Sequence, residues 1–325
     1  MSQFHPMLLF SAALFFGLIL LVLSSDKFIE HSALVAEKLN VSPIVIGFTL
    51  VALGTSAPEM VVSAIAALEN APEIAVGNVL GSNIANVALV FGATLLISAI
   101  PIKEGLTTRE IPILLGITVL AGLLMSDGRL DVLDGIILII AFVVALFLLL
   151  RNSTSLEEEP TQELPEDDGT SVFRSVFIAL VGLVVLIISS KVLVWGATGI
   201  ATEFGVSELL IGLTIVAIGT SLPELAASIT SALKGHHDIA IGNILGSNLF
   251  NLATVLPLPA IIAPGFIDES IMTRDYWWMF CTTVFLALCI ILFRKTRTAS
   301  IPKWVGIVLL ISYVIYLTSL FIQAS

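Results

Sequence analysis

The sequence is poor in charge. Of its 325 residues only 12% are Asp, Glu, Lys or Arg, about half the share of a soluble domain. Hydrophobic residues make up 57%. That stock cannot cover a water-facing surface, so a soluble enzyme, a nucleic-acid binder and a secreted scaffold are excluded and the chain is assigned to a bilayer. Cysteine is scarce as well. Cys281 and Cys289 share one apolar run and read as inert buried thiols, not as a disulfide framework. Histidine is limited to His5, His31, His236 and His237, at the ends of apolar runs or between them. No imidazole base or metal ligand is therefore available inside. No Lys or Arg precedes the first apolar run and no small-residue cleavage site follows it, so it reads as a span and not as a secretory signal.

What the chain does have is a series of apolar segments long enough to cross a membrane, which takes about 20 residues. Ten qualify: 6–25, 42–68, 72–99, 110–126, 132–150, 172–190, 207–233, 238–263, 275–293 and 304–322. Between the fifth and sixth lies 152–171, NSTSLEEEPTQELPEDDGTS, with seven acids and no base; no core can be built from it, and it reads as a solvated linker. The predicted fold is all-α and polytopic, with five-helix units at 1–151 and 172–325. Loop bases number 11 on the linker side and 3 on the other. The asymmetry places the linker in the cytoplasm and both termini outside it, in the cytoplasmic (inner) membrane.

The chain contains itself twice. GFTLVALGTSAPE (47–59) matches GLTIVAIGTSLPE (212–224) at 9 of 13 positions, and AVGNVLGSNIAN (75–86) matches AIGNILGSNLFN (240–251) at 8 of 12. The offset is 165 throughout, and it also pairs Ser24-Ser25 with Ser189-Ser190 and Thr108-Arg109 with Thr273-Arg274. The repeat unit is one five-span half. Five is odd, so the second half enters the membrane the other way up. Secondary transporters are built from such inverted repeats, with their ion site near the midplane.

The repeated motifs, 47–86 and 212–251, hold the polar residues. Glu59 and Glu224 each lie deep in an apolar helix, where a carboxylate costs several kcal/mol unless a cation or proton compensates it. Thr55 and Ser56 precede Glu59 by four and three residues and are expected on its helix face; Thr220 and Ser221 repeat this beside Glu224. Pro58 and Pro223 break the backbone ladder and are expected to free carbonyls near Ala52, Leu53 and Gly54, and near Ala217, Ile218 and Gly219. Asn78, Ser82 and Asn86 follow at i, i+4 and i+8, one polar stripe on one helix; Asn243, Ser247 and Asn251 repeat it. Gly77 with Gly81, and Gly242 with Gly246, would let another helix approach that stripe. Asn83 and Asn248 point away from it and read as structural hydrogen-bonders. The donors are all hard oxygens, a set suited to Ca²⁺, Na⁺ or Mg²⁺ and not to Zn²⁺ or Cu⁺.

G-T-S-x-P-E followed by G-N-x-x-G-S-N, twice, in two five-span halves, resembles the repeats of the cation/Ca²⁺ exchanger superfamily. Within it the chain is most similar to the bacterial calcium/sodium antiporters related to the potassium-dependent sodium/calcium exchangers. The resemblance implies ten helices with the site on the second, third, seventh and eighth. It makes Glu59 and Glu224 the central Ca²⁺ ligands, joined by oxygens of Thr55, Ser56, Thr220 and Ser221. Ser82 and Ser247, with the backbone oxygens of Ala52 and Ala217, would help bind Na⁺. One position departs from the pattern: many members carry Asp where this chain has Asn251, so a charge bearing on monovalent-ion handling is missing.

The expected activity is Ca²⁺/Na⁺ antiport by alternating access, with the first and sixth helices moving over the other eight, as the resemblance implies. Ca²⁺/H⁺ exchange on the same glutamates is the alternative; an intramembrane enzyme and a passive channel are disfavoured. Ca²⁺ and Na⁺ are the expected substrates and the lipid bilayer the setting. No cofactor, nucleic acid or obligatory protein partner is expected.

Overall fold

A computed structural model describes residues 6–39, 41–103, 105–151, 171–205, 217–296 and 299–324. The first helix, α1 (Pro6–Lys38), does not stop near residue 25. No Gly or Pro occurs between Leu18 and Val41, so nothing ends the helix where its apolar run ends. α7 (Val172–Glu203) likewise continues past residue 190, through Gly196 and Gly199, and stops before Gly205, a left-handed residue with φ 75°. The other long helices are α4 (Pro72–Ile97), α5 (Leu106–Met125), α6 (Val132–Arg151), α10 (His237–Ile262), α11 (Ile271–Arg294) and α12 (Lys303–Ala324).

Two shorter helices, α2 (Pro43–Thr55) and α3 (Ala57–Leu68), are bent by 44° where they meet. Their counterparts are α8 (Ala217–Thr220) and α9 (Leu222–Leu233). Among the described residues eight helices are long and apolar enough to span a membrane, and α2 with α3 makes a ninth. The first part of the span expected at 207–233 lies outside the described residues, as does 152–170 of the acidic linker.

The 165-residue offset recurs in the structure. It carries α3 onto α9 and α4 onto α10. Asn70 (φ 57°) closes α3 and Gly235 (φ 82°) closes α9, the two residue types that accept a left-handed helix end. Four two-residue strands pair reciprocally. Strand β1 (Ile100–Pro101) pairs antiparallel with β4 (Ser300–Ile301), and β2 (Arg129–Leu130) with β3 (Gly265–Phe266). Two bonds extend these pairs, from Ile102 N–H to the Ala299 carbonyl and from Ile267 N–H to the Gly128 carbonyl; the offset of 165 relates their donors, while their acceptors stand 171 residues apart.

These contacts join loops that a ten-span path puts on the same face. On one face Lys103 meets Asp238 at 2.8 Å, Lys234 meets Asp26 at 2.9 Å, and Arg294 donates to Thr107 at 2.7 Å. On the other the Arg129 guanidinium lies 4.9 Å from the centre of the Phe266 ring.

Packing divides the helices into two groups. The larger apolar core runs through α4, α5, α6, α10, α11 and α12. A smaller cluster, with Phe28, Ile29, Ala179 and Leu186, joins α1 to α7 and reaches Val51 of α2, Ala227 of α9 and Ile239 of α10. α10 is buried on nearly all sides. Its two glycines admit α2: a Cβ on Gly242 would lie 2.5 Å from the Ile44 carbonyl oxygen, and one on Gly246 would lie 2.8 Å from the Phe48 Cα. The segment that the offset assigns to Gly77 and Gly81 falls in 206–216, outside the described residues. The cysteines differ from expectation: Cys289 is buried, but Cys281 faces outward from α11, and both are unpaired.

Because the obstacle at Gly242 is backbone, it cannot move aside. Gly242→Val is expected to cost more than about 2 kcal/mol and to lower the thermal unfolding midpoint in detergent. Gly116→Ala, where a Cβ meets nothing within 4 Å, should leave the midpoint unchanged or raise it.

Candidate functional site

The break between α2 and α3 falls at Ser56, whose φ −80° and ψ 1° are not helical. Ser221 repeats it with φ −90° and ψ 6°. Pro58 and Pro223 follow in the first turn of the new helix, where a missing N–H costs nothing. Glu59 and Glu224 therefore occupy the first turn of α3 and of α9, not the interior of a continuous helix. Free backbone N–H groups at such an end favour a carboxylate. Both side chains are fully buried.

The break also redirects the hydroxyls. A continuous helix would put Ser56 beside Glu59. Instead its Oγ donates to Glu224 Oε1 of the other half at 3.4 Å, while Glu59 Oε1 accepts from Ser82 Oγ at 3.5 Å. Thr55 Oγ1 also crosses, donating to Asn243 Oδ1 at 3.0 Å and lying 3.4 Å from Ser247 Oγ. The Ala52 carbonyl accepts from Ser56 N–H at 3.0 Å and faces Thr55 Oγ1 at 3.3 Å, so it keeps bonds that proline was expected to remove. At the second break Ser221 N–H reaches Ile218 instead. Ala217 opens α8 at the edge of the described residues. Thr220 is half-buried, and the buried Ser221 hydroxyl has no partner.

The first asparagines of the stripes act as pins. Asn78 Nδ2 donates to the Glu59 carbonyl at 3.4 Å and to Ser63 Oγ at 3.0 Å. Asn243 Nδ2 does the same to the Glu224 carbonyl at 3.3 Å and to Ser228 Oγ at 2.9 Å. Sequence reasoning missed Ser63 and Ser228, although both obey the offset and stand four residues after their glutamates. The last asparagines differ. Asn86 and Asn251 begin stretches of wider helical turn, Asn86–Phe91 and Asn251–Val255, a feature frequent at functional sites. Both are fully buried, yet among the described residues neither the amide oxygen nor the amide nitrogen of either has a partner. Asn83 and Asn248 bond backbone, Val79 O at 3.1 Å and Asn83 O at 3.4 Å.

Thr55 and Ser56 thus bond across the halves to Glu224, Asn243 and Ser247, while Glu59 is held within its own half by Asn78 and Ser82. Glu59 Oε2 and Glu224 Oε2 have no hydrogen-bond partner among the described residues. Among the described residues no Lys, Arg or His forms an ion pair with either carboxylate. Two ionised carboxylates cannot stay buried without a counter-charge, so the arrangement suits bound cations or protons.

Asn243→Ala removes two donated bonds and the acceptor of Thr55. It is expected to cost about 1–3 kcal/mol of stability, read as a fall in the thermal midpoint of the detergent-solubilised protein. Asn78→Ala, which has no reciprocal Thr55 bond to lose, should cost less.

The sodium/calcium exchanger protein family matches residues 9–151 and 174–322 of the chain. The inner membrane protein YrbG of Escherichia coli (strain K12) is 38% identical over 324 residues, covering 97% of this chain and 98% of that protein. The sodium/calcium exchanger MaX1 of Methanosarcina acetivorans is 30% identical over 346 residues, covering 95% and 97%. Among solved structures the sodium-calcium exchanger NCX_Mj, soaked with Na⁺ and without Ca²⁺, superposes with a TM-score of 0.83 at 32% identity, covering 97% of this chain and 99% of that one.

Proposed function

The chain belongs to the sodium/calcium exchanger family, and from that membership we propose that it exchanges Ca²⁺ for Na⁺ across the cytoplasmic membrane by alternating access at Glu59 and Glu224. It is a multi-pass membrane antiporter of the cation/Ca²⁺ class, a transporter and not a catalyst of covalent chemistry. On this reading the chain crosses ten times as two inverted halves, with residues 152–171 in the cytoplasm and both termini outside. The surplus of loop bases on the linker side supports that orientation.

One observation carries the assignment of the site. Two fully buried carboxylates, one from each half, each accept from a neutral serine hydroxyl and have no basic partner among the described residues. One Ca²⁺ balances two carboxylates, and so do two monovalent cations. Leaving the site empty exposes both charges to a low dielectric at a cost of several kcal/mol, so crossing without cargo is suppressed and exchange is coupled. Na⁺ is preferred over H⁺ as the counter-ion. A proton needs only the carboxylates, whereas the hydroxyls of Thr55, Ser82 and Ser247 and the unpartnered amides of Asn86 and Asn251 offer the further oxygens that Na⁺ requires. Thr220, Ser221 and the backbone at Ala52 and Ala217 complete the proposed donor set.

Reconstitution in proteoliposomes tests both parts. A Na⁺ gradient should drive Ca²⁺ flux, a pH gradient alone should not, and Glu59→Gln and Glu224→Gln should each lower the flux by at least tenfold. Flux driven by pH alone would overturn the choice of counter-ion. Undiminished flux in the Gln variants would overturn the site.

A further inference from the structure

The two halves match in sequence but not in contacts, and the mismatch lies where α1 and α7 meet the rest. On one face α1 is fastened to α9. Lys234, just past the end of α9, pairs with Asp26 at 2.9 Å and with Glu30 at 3.4 Å. One residue before Asp26, Ser25 donates to Thr230 of α9 at 2.8 Å. The offset of 165 converts Asp26 into Lys191 and Lys234 into Glu69. The opposite face therefore carries the same ion pair with its charges exchanged: a base on α7 and an acid just past the end of α3.

That second pair is open. Lys191 and Glu69 are both exposed, and no ion pair joins them among the described salt bridges. Ser190, the counterpart of Ser25, donates to the Gly219 carbonyl at 3.0 Å; the offset puts Ile65, with no side-chain acceptor, where Ser25 finds Thr230. Between α7 and α3 is a cleft of about 410 Å³, bordered by Pro58, Val61, Val62, Ser190, Lys191 and Trp195. There is thus room for α7 to close on α3 as α1 closes on α9.

The two helices are placed to move together. A Cβ on Gly182 of α7 would lie 3.0 Å from the Phe28 backbone nitrogen of α1, and one on Gly17 of α1 would lie 3.1 Å from Leu193 Cγ of α7. Gly17 and Gly182, and Phe28 and Leu193, are themselves related by the offset. Contact that close lets neither helix swing without the other.

We infer that Lys191 and Glu69 are positioning residues for transport: they form a second latch that closes when the Lys234–Asp26–Glu30 latch opens, so that one face is fastened at a time. The inference rests on the alternating-access reading of the preceding section. Each latch is a surface ion pair and weak, as a switch between two nearly equal states requires. Removing one shifts the ratio of the states by about two- to five-fold without abolishing either.

The test uses the full chain in proteoliposomes, with Cys281→Ala and Cys289→Ala as background. Lys191→Cys with Glu69→Cys is expected to cross-link through a short bifunctional thiol reagent, and faster when Lys234→Gln has opened the other latch. Asp26→Cys with Lys234→Cys should cross-link too. In the four-cysteine variant a molecule should carry one cross-link or the other. Both cross-links in one molecule, or none at Lys191→Cys/Glu69→Cys even with Lys234→Gln, overturns the inference. A charge reversal gives an independent reading. Lys191→Glu and Glu69→Lys should each slow exchange about two- to five-fold, and together they should restore it; a double variant as slow as the singles overturns the pairing. Cross-linking needs no transported ion. Exclusive cross-links in a protein that moves no Ca²⁺ would uphold the latch while rejecting the ion assignment.

Discussion

The rest of the structure is arranged around two carboxylates that the protein buries without neutralising. Neither Glu59 nor Glu224 has a basic neighbour among the described residues, and one oxygen of each has no hydrogen-bond partner. Burying one such charge unpaired costs several kcal/mol, comparable to the whole stability of a domain. The surrounding features limit that cost without removing it. The breaks at Ser56 and Ser221 put each carboxylate at a helix N-terminus. Asn78 and Asn243 hold the glutamate backbones in place while leaving the carboxylates free. On the proposed reading, what remains uncompensated is the share that a cation supplies, which would make the loaded protein more stable than the empty one.

A site of this kind needs a rigid frame and a part that moves. The frame is the larger core, in which α10 is enclosed on nearly all sides and glycine-backbone contacts fix its distance from α2. On the alternating-access reading the moving part is the pair α1 and α7, whose cluster also takes in Ile46 and Val51 of α2, Ala227 of α9 and Ile239 of α10. Packed cores are bistable rather than continuously deformable, so a shift of α1 and α7 would exchange one set of contacts with α2, α9 and α10 for another while the larger core stays packed. The departures from two-fold equivalence fall along this boundary. Ser25 reaches α9 while Ser190 turns back to Gly219, and Lys234 is paired while its counterpart Glu69 does not meet Lys191. The conserved repeat explains the site. The broken symmetry explains which face is fastened.

Much of this was legible in the sequence, because repetition at a fixed offset is a stronger signal than any propensity. The ungapped 165-residue shift identified Glu59, Glu224 and both asparagine stripes before any geometry was known. What local pattern could not show was the direction of the hydroxyls. Helical spacing put Ser56 beside Glu59, and the break turned it towards Glu224; that depends on ψ at one residue. The lengths of α1 and α7 were hidden for a related reason. Hydropathy reports where the apolar solvent ends, not where a helix ends, and no Gly or Pro stops the chain after Ser24. The four strands are two residues long, too short for periodicity to register, and only tertiary contact defines them.

The departure at Asn251 follows from the same electrostatics. Asn86 and Asn251 occupy equivalent, fully buried positions with unpartnered amides. An aspartate at either would add a third charge to a region that already holds two. With neutral ends to both stripes, a load of two positive charges leaves the proposed site balanced, whether one divalent ion or two monovalent ions carry it. A third carboxylate would require another cation before the site became neutral enough to cross a low dielectric. The amide oxygens still offer coordination but impose no such demand. On the proposed reading the stripe ends then set how many cations must be aboard, and the glutamates set only that some must be.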